Sequence, residues 1–426
     1  MSVTLTRGLA PVRSVLDNGA VVIVQETSTT PAVTINATVR AGGVHEPADL
    51  PGLAFLTGLV LDRGTERRTA DAIAEELDDR GVALRVATSR HVTTVSSTCL
   101  SEDFDDVLAV ALDVIRHAVF PEEEVAKRRA ECVTSLRQDE DSPATRAVEG
   151  LLELLYGSSH PYGRRAKGTI ESVERIARDD LASFHAARFR PAALSLAIVG
   201  QVSHAHALAR AAIELDGWSG ANPKESELPP VPPAPERRLQ VIPLAGKSQT
   251  DIAYGFTAVR RLDPRYYAYW VMNNILGQFG LGGRLADNIR ERQGMAYYAF
   301  SAFDPSVGPG PLIVRAGVDP RNVDRALAAI DFEISRMGKE GPTPVELAET
   351  QQYLIGSIPR TLETNAGIAS FLQNEEQFGL GLDYDQRLPQ HLRAVTVDDV
   401  RAAAAEILHP DRAAVSVAGP PTPAPE

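Results

Sequence analysis

The side chains in this sequence best suited to holding a metal or attacking a substrate are nine histidines and two cysteines, and their spacing decides what they can do. His204-Ala205-His206 is the tightest pair. Two imidazoles two positions apart share a metal when carried on a strand. Here, however, Ser203 has the character of a helix cap and Ala205–Ala212 that of a helix, where such positions diverge. The pair therefore reads as a solvated helix start. His45, His91, His117, His160, His185, His391 and His409 are scattered, with no glutamate at metal-binding spacing. Cys99 and Cys132 fit neither a disulfide framework nor a zinc cluster and read as small buried hydrophobes. No Gly-x-Ser-x-Gly nucleophile motif is present. Gly280, Gly282 and Gly283 invite comparison with a phosphate-binding loop, but neither Gly-Lys-Ser/Thr nor a dinucleotide pattern follows them. The chain alone carries no complete catalytic set.

The elements that must position any site are set by an internal repeat. Phe189-Arg190-Pro191 and Leu196–Gly200 recur as Leu408-His409-Pro410 and Val415–Gly419, each 219 positions later, and Asp179-Asp180 recurs as Asp398-Asp399 at the same offset. The run Leu228–Glu236 is too rich in proline for helix or sheet and serves as an extended linker. We expect two homologous domains, residues 1–220 and 239–426, joined by 221–238. Each should be an α+β unit with a mainly antiparallel sheet flanked by helices, because strands come first, helices next and a strand last, without βαβ alternation.

Within the first half, Asn18-Gly19 between apolar runs predicts a hairpin. Val33–Arg40 alternates apolar and polar residues and predicts a half-buried strand. Gly52–Leu61 predicts a buried helix; Thr69 caps a helix over Ala70–Arg80 that Gly81 ends. Val82–Ser97 is strand-like, Glu122–Gln138 a long charged helix, and Ala147–Tyr156 and Arg178–Ala187 are further helices before the strand Leu194–Val199. A net charge of −13 argues against a nucleic-acid surface. No apolar run is long enough to span a bilayer, and the first residues show no export signal, so the expected address is the cytoplasm, or the periplasm if a leader has been removed.

Several short stretches follow one another as in the insulinase and mitochondrial-processing-peptidase family. They are Arg40-Ala41-Gly42-Gly43, Gly52-Leu53-Ala54, Arg63-Gly64-Thr65, Arg67-Arg68-Thr69-Ala70, Thr88-Ser89-Arg90, Leu155-Tyr156-Gly157, His160–Arg164 and Gly168-Thr169. The chain resembles a bacterial half-length member of that family, an inverzincin. Active members hold zinc with His-x-x-Glu-His on a buried helix and a distant Glu. The flanks of that motif place Phe55, Gly58 and Leu59 at the His, Glu and His positions. The third ligand falls on Ser135, an accessory carboxylate on Arg128, and a substrate-side Asn on Arg85. The resemblance thus implies that the catalytic zinc site is lost.

The second half keeps another part of the family pattern. Arg284-Leu285, Arg290-Glu291, Gly294 and Ala296-Tyr297 match its Arg-Leu…Leu-Arg-Glu-x-x-Gly-x-Ala-Tyr segment. There an Arg and a Tyr, here Arg290 and Tyr297, reach the zinc site of a facing domain and bind the substrate carbonyl. The resemblance implies a non-catalytic subunit of a heterodimeric zinc endopeptidase: no cofactor in this chain, zinc in a homologous partner, and a small or unfolded peptide as substrate. The alternative is a proteolytically silent scaffold or peptide-binding subunit of a larger complex.

Overall fold

The computed structural model describes residues 8–224, 227–278 and 283–421. Among them, eleven strands form two sheets. The first sheet comprises β1 (Val12–Val15), β2 (Val21–Glu26), β3 (Ala32–Val39), β4 (Arg85–Thr88), β5 (Thr93–Leu100) and β6 (Leu194–Gly200), in the order β1-β2-β6-β3-β5-β4. The second comprises β7 (Arg238–Pro243), β8 (Thr250–Thr257), β9 (Ala296–Phe303), β10 (Pro311–Val318) and β11 (Ala414–Gly419), in the order β7-β11-β8-β10-β9. Apart from β1, the second order repeats the first strand for strand. Each sheet has one parallel pair, β2 with β6 and β7 with β11, and is otherwise antiparallel. This is the expected α+β architecture.

Local chemistry explains most boundaries. At the β1–β2 hairpin Gly19 takes φ +88° and the Asn18 side chain accepts the Ala20 amide at 3.1 Å. Thr69 accepts the Ala72 amide to start the helix Ala70–Asp78, and Gly81 follows it at φ +64°. The stretch Val82–Ser97 is not one strand. Ser89 turns the chain, its amide bonding the Val92 carbonyl at 2.8 Å and its hydroxyl reaching the same oxygen, so that β4 and β5 pair antiparallel.

The chain divides into two compact units, each discontinuous in sequence. One holds residues up to Leu136, Arg165–Glu227 and Ile358–Gln386; the other holds Arg137–Arg164, Leu228–Ser357 and residues from Arg387 onward. Within the first unit, one sheet face packs on Leu53, Leu56, Val60, Leu108, Leu112 and other helical residues, forming the larger core. The opposite face, at Ile23, Ala197 and Val199, packs on Ile368, Ala369 and Leu372 of the helix Asn365–Phe378. Burying the Ile and Leu side chains contributes roughly 3–6 kcal/mol.

This second cover corrects the half-buried reading of Val33–Arg40. From Val33 to Val39 every residue of β3 is buried, including Thr34, Asn36 and Thr38, because the helix Asn365–Phe378 lies over the polar face. Its Gln373 amide donates to the carbonyls of Asn36 and Ser195 at 2.6 and 2.9 Å. The second unit is built the same way: the helix Pro143–Tyr156 packs on β8 and β11. It comes so close that a Cβ on Gly150 would stand 2.5 Å from Ser416 Oγ.

Two measurements test this packing. The segment 1–220 expressed alone lacks Asn365–Phe378, so it should bind a hydrophobic dye and unfold without a sharp transition, whereas the whole chain unfolds cooperatively. In the first unit, burial pushes the His185 imidazole from 6.5 down to about 4, while its Nε2–H donates to the Ile115 carbonyl at 2.8 Å. Below the unfolded value the unfolded chain takes up a proton that the folded chain still refuses. Stability should therefore be complete above pH 6.5 and fall by up to roughly 3 kcal/mol as the pH drops toward 4. Urea midpoints at pH 7 and pH 5 read this loss, and His185→Phe should shrink it.

Candidate functional site

The helix Leu53–Val60 opens after Gly52, at φ +95°, which has no side-chain cap of its own. Glu46 compensates, its carboxylate accepting the Gly52 and Ala54 amides at 3.1 and 2.7 Å. The start of the helix is thus well satisfied, and Phe55, Gly58 and Leu59 on it carry no metal-binding atom. Phe55 and Leu59, one turn apart, pack partly buried against the large core. Gly58 lies so close to β4 that a Cβ there would be 2.3 Å from Thr88 Oγ1.

On the helix Glu122–Glu140, Ser135 Oγ accepts a hydrogen bond from Lys167 Nζ at 2.9 Å. Arg128, two turns earlier, donates to Glu131 at 2.6 Å, with its Nε 3.7 Å from Glu124. A basic group therefore attends both positions, Lys167 beside Ser135 and Arg128 itself. Arg85 opens β4 and is exposed. Nothing in this donor set suits zinc, and among the described residues no three His, Cys, Asp or Glu side chains gather as a metal site.

The remaining histidines and cysteines are otherwise engaged. His204 and His206 open the helix His204–Glu214, capped by Ser203, and point to different partners: Ser14 Oγ at 3.4 Å and Asp105 at 2.8 Å. Burial, with Arg188, His91 and Arg40 nearby, lowers His45 to about 3 and keeps it neutral. Cys99 and Cys132 are buried, and burial pushes the Cys99 thiol up to about 12. Of the glycines likened to a phosphate loop, Gly280 and Gly282 lie outside the described residues; Gly283, at φ +63°, opens the helical segment Gly283–Leu285.

That segment continues as the π-helix Ala286–Arg292, which carries Arg290, and a turn leads into β9, which carries Tyr297. Its root is firmly held. Arg284, buried, makes a two-pronged ion pair with Glu346 at 2.6 and 2.7 Å and donates to the Gly341 carbonyl at 3.0 Å. Burial alone would raise Glu346, but Arg284 and Thr343 pull its carboxyl down to about 2. The turn is closed by Gly294 at φ +60°, with the Gly294 amide bonded to the Arg290 carbonyl and the Met295 amide to the Ile289 carbonyl, both at 3.0 Å.

From this fixed base both donors face solvent. The Arg290 side chain is 45 % exposed, with Glu291 at 3.4 Å, and Tyr297 is 85 % exposed. Its neighbour Tyr298 turns the other way and donates its hydroxyl to Asp251. The same helical segment walls a cleft of about 530 Å³ lined by Arg284, Asp287, Glu291, Arg292, Arg336 and Glu349. Sequence reasoning did not find this cleft, because its far wall comes from residues fifty and more positions downstream.

The contact between Gly58 and Thr88 can be measured. Gly58→Ala should cost about 1–3 kcal/mol through overpacking. Adding Thr88→Ala should recover most of it, so a double-mutant cycle by urea unfolding yields a coupling of similar size.

Two family models match the chain: "Insulinase (Peptidase family M16)" over residues 21–163 and "Peptidase M16 inactive domain" over residues 175–354. An uncharacterized zinc protease of Streptomyces coelicolor is 27 % identical over 416 residues, spanning 96 % of this chain and 89 % of that protein. The uncharacterized zinc protease YmxG of Bacillus subtilis is 24 % identical over 405 residues, spanning 94 % and 96 %. A crystal structure described as a peptidase M16 inactive domain from Pseudomonas fluorescens superposes with a TM-score of 0.89 at 25 % identity, over 97 % of this chain and 98 % of that one. A Helicobacter pylori protease shares the fold, with a TM-score of 0.89 at 17 % identity over 97 % and 100 %. The strand-for-strand repeat and these matches together place the chain in the insulinase family, peptidase family M16.

Proposed function

We propose that this protein is the non-catalytic subunit of a two-chain zinc endopeptidase, supplying Arg290 and Tyr297 to the active site of a homologous partner that holds the metal. One contrast carries the reading. The positions that would bind and use zinc hold Phe55, Gly58, Leu59 and Ser135, whereas the donor pair stands exposed on a rigid base.

A guanidinium and a phenol are hydrogen-bond donors with no need to change protonation near neutrality. Aimed at a scissile carbonyl, they stabilise the negative charge that its oxygen acquires when water adds. Lewis-acid chemistry belongs to the partner. The substrate class is a small or unfolded peptide, and the compartment we assign is the cytoplasm, or the periplasm if a leader has been removed. No helix among the described residues is long and apolar enough to cross a membrane. We also read residues 1–220 and 239–426, joined by 221–238, as two copies of one ancestral domain.

Reconstitution with a homologous subunit that retains His-x-x-Glu-His tests this. Cleavage of an unstructured peptide should require both chains, and Arg290→Ala should lower kcat by roughly a hundredfold or more, as loss of an oxyanion donor does. Tyr297→Phe should also lower kcat. A partner equally active without this chain, or with either variant, would leave the scaffold role instead.

A further inference from the structure

The turn between Arg290 and Tyr297 is held by more than its backbone. Asn288 lies two residues before Arg290 and uses both ends of its amide. Its Oδ1 accepts from Gln293 Nε2 at 2.7 Å, spanning the turn, and its Nδ2 donates to Glu333 Oε1 at 2.7 Å. The Gln293 backbone amide also bonds the Asn288 carbonyl at 3.2 Å. Glu333 belongs to the helix Val323–Glu340 and is only 2 % exposed, with Arg336 Nη1 3.3 Å from its carboxylate.

A carboxylate this buried is costly unless it is well bonded. Around Glu333 the bonds described run to Asn288, which grips the turn, and to Arg336, one turn along its own helix. An asparagine with one acceptor and two donors is suited to bridging an acceptor on one side and a donor on the other. We infer that Asn288, anchored by Glu333, is the positioning residue that fixes the direction of Arg290 and of the strand start bearing Tyr297. This rests on the proposed role of that pair.

The experiment pairs the whole chain with its zinc-bearing homologue and compares Asn288→Ala, Glu333→Met and Glu333→Gln. The glutamine keeps an oxygen for Asn288, whereas methionine does not. We expect Asn288→Ala and Glu333→Met to lower kcat between roughly tenfold and a hundredfold with KM little changed, as misplacement of a reacting group does. Glu333→Gln should stay within about threefold of the parent, because the acceptor that Asn288 needs is still there. Circular dichroism and a thermal melt confirm that each variant is folded.

Amide hydrogen exchange at Gly294 and Met295 is read on the same variants without the partner, and should quicken about tenfold or more in Asn288→Ala and Glu333→Met but not in Glu333→Gln. Folded Asn288→Ala with unchanged kcat in an Arg290-dependent enzyme, or with unchanged exchange, overturns the inference. If the pair never needs Arg290, the proposed function fails instead, and the exchange result still decides whether Asn288 holds the turn.

Discussion

A β-sheet has two faces, and this protein cannot leave either one open. In each compact unit the strands of one sequence half are roofed by a helix from the other half: Asn365–Phe378 over β3 and β6, Pro143–Tyr156 over β8 and β11. The exchange is reciprocal. It makes the folding of each half conditional on the whole chain. The polar strand residues beneath the roof have partners of their own: Thr34 Oγ1 meets Thr98 Oγ1 at 2.9 Å, and Thr38 Oγ1 lies 3.3 Å from both Thr94 Oγ1 and Asn36 Oδ1, while Gln373 of the roofing helix bonds the Asn36 carbonyl.

The two units keep the same strand order but have diverged in the region that would do chemistry. In the first, the helix Leu53–Val60 is capped by the Glu46 carboxylate on the Gly52 and Ala54 amides and presents apolar groups. Retaining that cap is a matter of stability: the amides need an acceptor whether or not a metal is bound. In the second, the corresponding effort goes into one short segment, tied down by Arg284 to Glu346 and closed by Gly294.

Much of this was legible in the sequence because the signals were local. Asn18-Gly19, the Thr69 and Ser203 caps and the 219-residue offset each act over a few neighbours or repeat outright. What escaped was long-range. Alternation in Val33–Val39 suggests a wet face, and nothing near it announces a helix more than three hundred positions later. The Ser89 turn was hidden in a β-prone run rich in Val and Thr, where Ser89 is one of three serines. Lys167 beside Ser135 and the cleft behind the π-helix join distant segments in the same way.

The near-contact of Gly58 with Thr88 has an evolutionary implication. With Thr88 Oγ1 only 2.3 Å from where a Cβ on Gly58 would stand, any larger residue at position 58 passes through a sterically crowded intermediate unless Thr88 changes as well. Selection acts one substitution at a time, so such a path is a ratchet. The bare backbone at Gly58 and the hydroxyl of Thr88 therefore hold each other's identity in place.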